Sequence, residues 1–195
     1  MRKRLALSAV LATGAAAISI GVPVSAGASD SPVITYCGPI LDGTSGPDLL
    51  VGNDHRNLIR GFGGNDRIYG MGDGDCIVGG PGNDYIDGAA GADDIYGGTG
   101  NDYLIGGPDE DHLVGNNGND VLIGGPDEDR LIGGRGNDVI KGGDGYDVIR
   151  AGPGNDYIDG RGHGLDTIDC GGGIDYVIAR RGERLFRCEK VKLVP

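Results

Sequence analysis

The chain repeats itself every nine residues over more than half of its length. From Gly43 to Asp159 it divides into thirteen consecutive nine-residue units without an insertion. The first position is Gly in every unit except the last, which begins with Ala151, and the eighth position is always Leu or Ile. Self-similarity at a fixed short period is typical of a solenoid. An ordinary core is also disfavoured, because the 195 residues include 42 glycines, two phenylalanines and no tryptophan.

The sixth position of each unit is acidic with one exception, Asn57. The twelve aspartates in this column are Asp48, Asp66, Asp75, Asp84, Asp93, Asp102, Asp111, Asp120, Asp129, Asp138, Asp147 and Asp156. Aspartate is common in turns that bind no metal, so turn preference alone is one explanation. Asn and Ser would serve a turn equally well, however, and the strict register of the column favours a role as cation ligands.

Each unit is predicted to form one turn and one short strand. The glycine-rich first six residues cannot form a helix, and the apolar-centred last three are long enough only for a short strand. Side chains alternate across a strand, so the eighth residue faces inward while the seventh and ninth face outward. We therefore predict an all-β fold, a parallel β-roll (β-solenoid) whose neighbouring rungs pair as parallel strands.

Gly-Asn-Asp returns every 18 residues, which is twice the repeat length. This period indicates two units per coil, so that alternate units form two different edges. The regular edge carries a column of asparagines that we expect to form an amide ladder at a strand spacing of ~4.8 Å. These are Asn65, Asn83, Asn101, Asn119, Asn137 and Asn155. The irregular edge has Asp73, Asp109 and Asp127 where the fourth-position glycine would stand.

Stacked turns would bring the aspartates of successive coils together, and like charges repel unless a cation lies between them. Carboxylate and carbonyl oxygens in flexible turns suit Ca²⁺, which accepts six to eight ligands, whereas Mg²⁺ requires tighter octahedral geometry. The net charge of −12 argues for cations as partners and against nucleic acid or an anionic membrane. We predict calcium ions as the cofactor, and Asn57 removes one negative charge from its column.

The segments outside the repeats suggest export and capping. Residues 1–28 have a basic start, an apolar run and a small-x-small cleavage site after residue 26 or 28, which predicts a signal peptide; a membrane anchor is the alternative. The mature chain would then be extracellular, without a membrane span. We expect an N-terminal cap at 29–42, the β-roll at 43–159 and a C-terminal cap at 160–195. A ten-residue step at 160–169 leaves the role of Asp166 open.

The repeat units resemble a known family. The stretches GGPGNDYID and GGTGNDYLI match G-G-x-G-x-D-x-U-x, the nonapeptide of the RTX or haemolysin-type calcium-binding repeats. The resemblance implies a parallel β-roll in which the twelve sixth-position aspartates and turn carbonyls bind calcium between stacked turns. An even number of cysteines in an exported chain suggests two disulfides, with three possible pairings. The ends are similar to small secreted calcium-binding repeat proteins of actinobacteria, which implies Cys37–Cys76 and Cys170–Cys188.

The motifs of common catalytic sites are missing from the sequence. It contains no HExxH, GxSxG or CxxC, and its three histidines lie about 50 residues apart. We therefore expect no enzyme, but a non-catalytic, secreted calcium-binding protein with a structural or interaction role. The alternative is a calcium-dependent adhesive module that binds cell-envelope polymer or another protein through an outward apolar patch. That patch comprises Tyr103, Ile105, Val121, Ile123 and Val139, flanked by Tyr85 and Tyr157, although strand propensity alone also explains such residues.

Overall fold

The computed structural model describes residues 38–194, and this part of the chain consists of strands and turns without a helix. Eighteen strands form two nine-stranded parallel sheets, called here the odd sheet and the even sheet after their strand numbers. The odd sheet contains β1 Ile40–Asp42, β3 Leu58–Arg60, β5 Cys76–Pro81, β7 Asp94–Thr99, β9 His112–Asn117, β11 Arg130–Arg135, β13 Val148–Pro153, β15 Thr167–Gly172 and β17 Arg184–Phe186. The even sheet contains β2 Leu49–Val51, β4 Arg67–Met71, β6 Tyr85–Ala89, β8 Tyr103–Ile105, β10 Val121–Pro126, β12 Val139–Asp144, β14 Tyr157–Asp159, β16 Tyr176–Arg180 and β18 Lys190–Val194.

Successive strands alternate between the two sheets, so that one coil consists of two nine-residue units. The parallel pairs join residues 18 positions apart: Leu104 pairs with Leu122 in the even sheet, and Leu113 with Leu131 in the odd sheet. The predicted fold is therefore confirmed, an all-β parallel β-solenoid of about nine turns with two units in each coil.

The eighth-position side chains form the core between the two sheets. Every Leu and Ile of this column from Ile59 to Ile158 is fully buried, and Leu50 is 7% exposed in the first described coils. Ile168 and Val177 continue the same cluster beyond the thirteenth unit. The single apolar residue per unit therefore faces inward as the alternation rule predicts, and the position two residues later is buried as well, where Ala151, Cys170 and Ala179 join the core.

The turns at the edges need residues that tolerate a left-handed backbone. On the regular edge this is a fourth-position glycine such as Gly100, with φ 122°, where an added Cβ would lie 1.8 Å from the carbonyl oxygen of Gly82 one coil earlier. On the irregular edge Asp109 and Asp127 adopt φ values of 83° and 78° despite their side chains. Such a backbone costs a residue with a Cβ roughly 1–2 kcal/mol, so the irregular edge is the more strained of the two.

The coil continues beyond residue 159 after a one-residue insertion. Ile149 pairs with Ile168 and Ile158 with Val177, both 19 residues apart instead of 18. The inserted residue is Arg161, because Gly160 N donates to Ile178 O as the first glycine of other units does, while Gly162 stacks on Gly143. Residues 160–194 thus supply four more strands to the same two sheets.

The C-terminal end is closed by the predicted Cys170–Cys188 disulfide. The other predicted pair, Cys37–Cys76, involves Cys37, which lies outside the described residues and leaves that pairing a prediction. The signal peptide predicted at residues 1–28 and most of the N-terminal cap predicted at 29–42 lie outside them as well.

Two neighbouring residues of β12 test which face of the even sheet supports the fold. We expect Ile140→Ala, at a fully buried position, to lower the free energy of unfolding by about 2–5 kcal/mol, because it removes buried methyl groups and leaves a cavity. Val139→Ala, at a side chain 43% exposed on the opposite face, should change it by about 0.5 kcal/mol or less. Urea unfolding of both variants in saturating calcium measures the difference, and equal effects would contradict the assigned faces.

Candidate metal centre

The sixth-position side chains stand in two buried columns, one along each edge of the solenoid. The regular edge carries Asp48, Asp66, Asp84, Asp102, Asp120, Asp138 and Asp156. The irregular edge carries Asn57, Asp75, Asp93, Asp111, Asp129 and Asp147. From Asp66 to Asp156 each of these aspartates is at most 3% exposed. Carboxylates this deeply buried require compensation, because removal from water disfavours the ionised form.

One oxygen of each buried carboxylate is satisfied by the backbone of the preceding coil. Asp84 N donates to Oδ1 of Asp102 at 2.9 Å, and Asp93 N donates to Oδ1 of Asp111 at 2.8 Å. The same bond recurs at each step of both columns, so every carboxylate is fixed in one orientation relative to the coil before it. The bond to a backbone N–H also favours the ionised carboxylate over the neutral acid.

The second oxygen of these carboxylates has no hydrogen-bond partner. Within residues 38–194, buried Oδ2 atoms without a partner occur at Asp66, Asp75, Asp84, Asp93, Asp102, Asp111, Asp120, Asp129, Asp138, Asp147, Asp156 and Asp175. Native proteins rarely leave a buried polar atom unsatisfied, and each instance requires an explanation such as an ion. A column of such atoms at the strand spacing provides one negatively charged ligand per coil along each edge.

Glycine at the first position of the unit leaves room around this oxygen. A Cβ added to Gly97 would lie 2.4 Å from Oδ2 of Asp102, and one added to Gly106 would lie 2.2 Å from Oδ2 of Asp111. The carboxylate thus lies against the glycine that begins its own turn, where no side chain occupies the space. Glycine at the first position therefore lets the carboxylate pack closely against the backbone, although Ala151 and Cys170 occupy the same position before Asp156 and Asp175.

Burial raises the pKa of the column carboxyl groups well above that of a free aspartate. The pKa is raised to about 7 at Asp102, where burial is the main cause and the charges of Asp120 and Asp84 add to it. At Asp111 it is raised to about 8 by burial, with contributions from Asp93, Asp129 and Asp109. Both shifts act against the backbone hydrogen bonds that favour the charged form, so a positive charge is the missing component of the site.

The residues present fit calcium. The available donors are buried carboxylate oxygens and carbonyl oxygens of stacked glycine-rich turns, and hard oxygen donors in a flexible frame suit Ca²⁺. No cluster of three or more His, Cys, Asp or Glu side chains converges within the described residues.

Two of the sixth-position residues near the start differ from the others. Asp48 is only partly buried, and its Oδ2 accepts hydrogen bonds from Thr44 N at 2.6 Å and Thr44 Oγ1 at 2.9 Å. Asn57 carries no charge, and its Oδ1 accepts a hydrogen bond from Asn53 N at 2.9 Å. In the first coil, protein donors therefore satisfy the sixth-position side-chain oxygen that has no hydrogen-bond partner in the later coils.

The structure adds two aspartates beyond the repeats. Asp147 N donates to Oδ1 of Asp166, and Asp156 N donates to Oδ1 of Asp175, which continues the two columns by one step each. The sequence prediction left Asp166 open and did not include Asp175. The signal was present, because once Arg161 is treated as an insertion both aspartates occupy the sixth position, with Ile168 and Val177 at the eighth.

The asparagine column of the regular edge is present, but its links differ from a ladder of side-chain amides. Oδ1 of each asparagine accepts a hydrogen bond from the backbone N–H of the next coil, as in Asn101 N to Asn83 Oδ1 at 2.7 Å. These bonds run from Asn65 to Ile174. The fifth position of the irregular edge varies between charged, small and aromatic residues, so only the regular edge carries two hydrogen-bonded columns.

Together, two sheets of short parallel strands and two edge columns of buried carboxylates in glycine-rich turns define a β-roll of calcium-binding repeats. A family model for the RTX calcium-binding nonapeptide repeat in four copies matches residues 42–75, 71–104, 105–140 and 132–162. The chain belongs to this family, whose repeats are calcium-binding motifs. No curated protein was found to match the chain.

The raised pKa values predict how the metal-free fold depends on pH. Between about pH 4 and pH 7 the folded chain holds protons on the column aspartates that an unfolded chain, with aspartate pKa values of about 3.9, has released. Without calcium, the folded state should therefore lose stability as pH rises from about 4 through the folded pKa values of about 7. We expect strand content in chelator, measured by circular dichroism, to be higher at pH 5 than at pH 7.5. Strand content that rises with pH would contradict this.

A pair of substitutions compares the two edges. Asp102→Ala weakens a column in which glycines form the turns, whereas Asp111→Ala acts where Asp109 and Asp127 hold a strained left-handed backbone. We expect the calcium midpoint of folding to rise more for Asp102→Ala, because the less strained edge should bind calcium more tightly. Both midpoints are measured at the same ionic strength. A larger shift for Asp111→Ala would mean that the greater density of carboxylates on the irregular edge governs affinity.

Proposed function

We propose that this protein is a secreted, non-catalytic calcium-binding protein whose β-roll is assembled by calcium. The observation that carries the proposal is the repeated, buried and unpartnered Oδ2 atom along both edges. A proton or a cation must compensate these carboxylates, and at neutral pH calcium is the cation that suits an oxygen-only site of this flexibility.

The proposed ligands are the predicted aspartates together with turn carbonyls. Asp66, Asp75, Asp84, Asp93, Asp102, Asp111, Asp120, Asp129, Asp138, Asp147 and Asp156 share one geometry, in which Oδ1 accepts a backbone N–H and Oδ2 remains open. Asp48 is proposed as a weaker ligand, because Thr44 already satisfies its Oδ2. Calcium supplies positive charge between successive carboxylates, and the chain supplies the rigid spacing of the strands.

Two features support export. The Cys170–Cys188 disulfide is of a kind that persists in oxidising compartments outside the cytosol. Residues 1–28, which lie outside the described residues, carry the predicted signal peptide. Within the described part of the chain, no helix is long and apolar enough to cross a bilayer.

A calcium titration of the purified protein tests the proposal. We expect little strand structure at pH 7.5 in chelator and cooperative folding at about 10⁻⁴–10⁻³ M calcium, the range of extracellular modules, because binding and folding are coupled. Circular dichroism follows the transition, with magnesium at the same ionic strength as the control. A strand spectrum that chelator leaves unchanged, or that magnesium restores equally well, would refute the proposal.

A second candidate function is a calcium-dependent adhesive module. The observation in its favour is the outward face of the even sheet, where the rings of Tyr85 and Tyr103 stack with centroids 5.6 Å apart and Val139 is 43% exposed. Exposed apolar and aromatic rows of this kind occur at binding surfaces. Retention on purified cell envelope that depends on calcium and is lost in Tyr103→Ser would favour this candidate, and retention of neither protein would favour the structural role alone.

A further inference from the structure

The column of sixth-position carboxylates on the regular edge continues beyond its last aspartate, Asp175. In the final pair of even-sheet strands Tyr176 is in register with Lys190, which places Glu189 in the same position of its coil as Asp175 in the coil before. Asp175 N donates to Oε2 of Glu189 at 3.2 Å, the same bond that each column aspartate makes with the next. Glu189 is therefore the sixth-position residue of the last turn, although the sequence around it has no repeat motif.

The last turn reproduces the repeat turn with different residues. Arg187, two positions before Glu189, has φ 53° and thus adopts the left-handed backbone that glycine provides at the fourth position elsewhere on this edge. Arg187 is held in place by an ion pair with Asp169. Cys188 occupies the fifth position, and its disulfide to Cys170 ties this turn to the preceding unit. The disulfide therefore replaces, at this end, the hydrogen bond that an asparagine makes between other turns.

The turn that contains Asp175 also has a buried oxygen without a hydrogen-bond partner. Asp175 is fully buried, and its Oδ2 has no hydrogen-bond partner. Burial raises the pKa of Asp175, and the nearby Glu189 carboxylate raises it further. The preceding turn also keeps the regular stacking, because a Cβ on Gly173 would lie 1.5 Å from Gly154 O. The buried Asp175 carboxyl group and the exposed Glu189 carboxylate thus lie close together in a turn that keeps the stacking of the edge.

We propose that Asp175 and Glu189 form a terminal calcium site, outside the family match and outside the predicted ligand set, and that the Cys170–Cys188 disulfide holds this site together. The site would close the open end of the regular edge, where no further coil follows in the described residues. This inference rests on the proposed calcium-binding function of the repeats. It adds a ligand, Glu189, that no repeat motif identifies.

The irregular column ends differently and provides an internal comparison. Thr167 is in register with Arg184, so Glu183 is the sixth-position residue that follows Asp166. Here burial raises the pKa of Asp166 to about 7 and also raises that of Glu183, while the charge of the Arg180 guanidinium, whose Nη1 donates to Gly162 O, partly offsets both shifts. Oε2 of Glu183 is also buried without a hydrogen-bond partner, but a protein cation lies near these carboxylates, so we assign the terminal calcium site to the regular edge alone.

The test counts calcium ions per chain by isothermal titration calorimetry on the purified protein. Glu189→Gln keeps an oxygen that can accept the hydrogen bond from Asp175 N and removes only the charge. The control is Glu128→Gln, which makes the same change at an exposed fifth position of the irregular edge. We expect Glu189→Gln to bind one calcium ion fewer than the wild type, and Glu128→Gln to bind the full number. The double variant Cys170→Ser/Cys188→Ser should lose the same ion.

The possible outcomes separate the two proposals. Full stoichiometry in Glu189→Gln, with a deficit only in Glu189→Ala, would mean that Glu189 serves as a structural cap, and the terminal site would be wrong. A deficit in the Glu128→Gln control equal to that in Glu189→Gln would overturn the site as well, because the loss would reflect overall charge. A wild-type protein that binds no calcium would overturn the proposed function and the terminal site together.

Discussion

Each coil of this fold buries ionisable carboxyl groups directly above their counterparts in the coil before. The strand spacing of ~4.8 Å fixes the distance between successive rungs, and the hydrogen bond to Oδ1 prevents the side chain from turning out to water. The other oxygen is left without a partner in a region from which water is excluded. Such a column is unfavourable unless protons or cations neutralise it. The proposed function therefore makes folding and cation binding one equilibrium, for which the glycines and short strands provide the frame.

The coil could be predicted from the sequence because one apolar residue per unit sets the register. Leu and Ile at the eighth position fix the inward face, and the 18-residue return of Gly-Asn-Asp fixes two units per coil. Shifting a strand by one residue would expose that side chain, so few alternatives compete. The column of sixth-position aspartates was predicted for the same reason, since each precedes the eighth position by two residues.

Other parts of the site could not be predicted from the repeat, because they depend on residues that the nine-residue motif does not specify. Thr44 satisfies Asp48 through a local turn, which the motif does not encode. Asp175 was missed because Cys170 stands at the first position of its unit and Arg161 shifts the count by one. The asparagine column was predicted as amide-to-amide, but a backbone N–H of the next coil lies within reach of each Oδ1 and is a donor that would otherwise be unsatisfied.

The insertion at Arg161 is tolerated because of where it falls. Placed in a strand, one extra residue would turn Ile168 and the residues after it to the outside. Placed in the turn, it lengthens the loop between Asp159 and Gly162 and leaves the inward column intact, with Arg161 paired to Asp159 at 2.6 Å. The turns can therefore vary in length while the strands cannot, which is why residues 160–194 continue the coil after the nine-residue period has ended.

On the regular edge the hydrogen bonds of the aspartate column and of the asparagine column point in opposite directions along the coil. The direction of the aspartate column decides which backbone group is left unpaired at its C-terminal end. Every column aspartate donates its backbone N–H to the carboxylate of the following coil, so an amide at the C-terminal end has no acceptor unless another residue supplies one. The bond from Asp175 N to Glu189 meets this requirement. At the N-terminal end the donors of Thr44 instead satisfy Oδ2 of Asp48, which is the oxygen that the later coils leave without a partner and not the Oδ1 that forms the ladder. The two caps therefore differ in chemistry: Glu189 supplies an acceptor to the last N–H of the ladder, whereas Thr44 supplies donors to the carboxylate oxygen that stays open in the later coils.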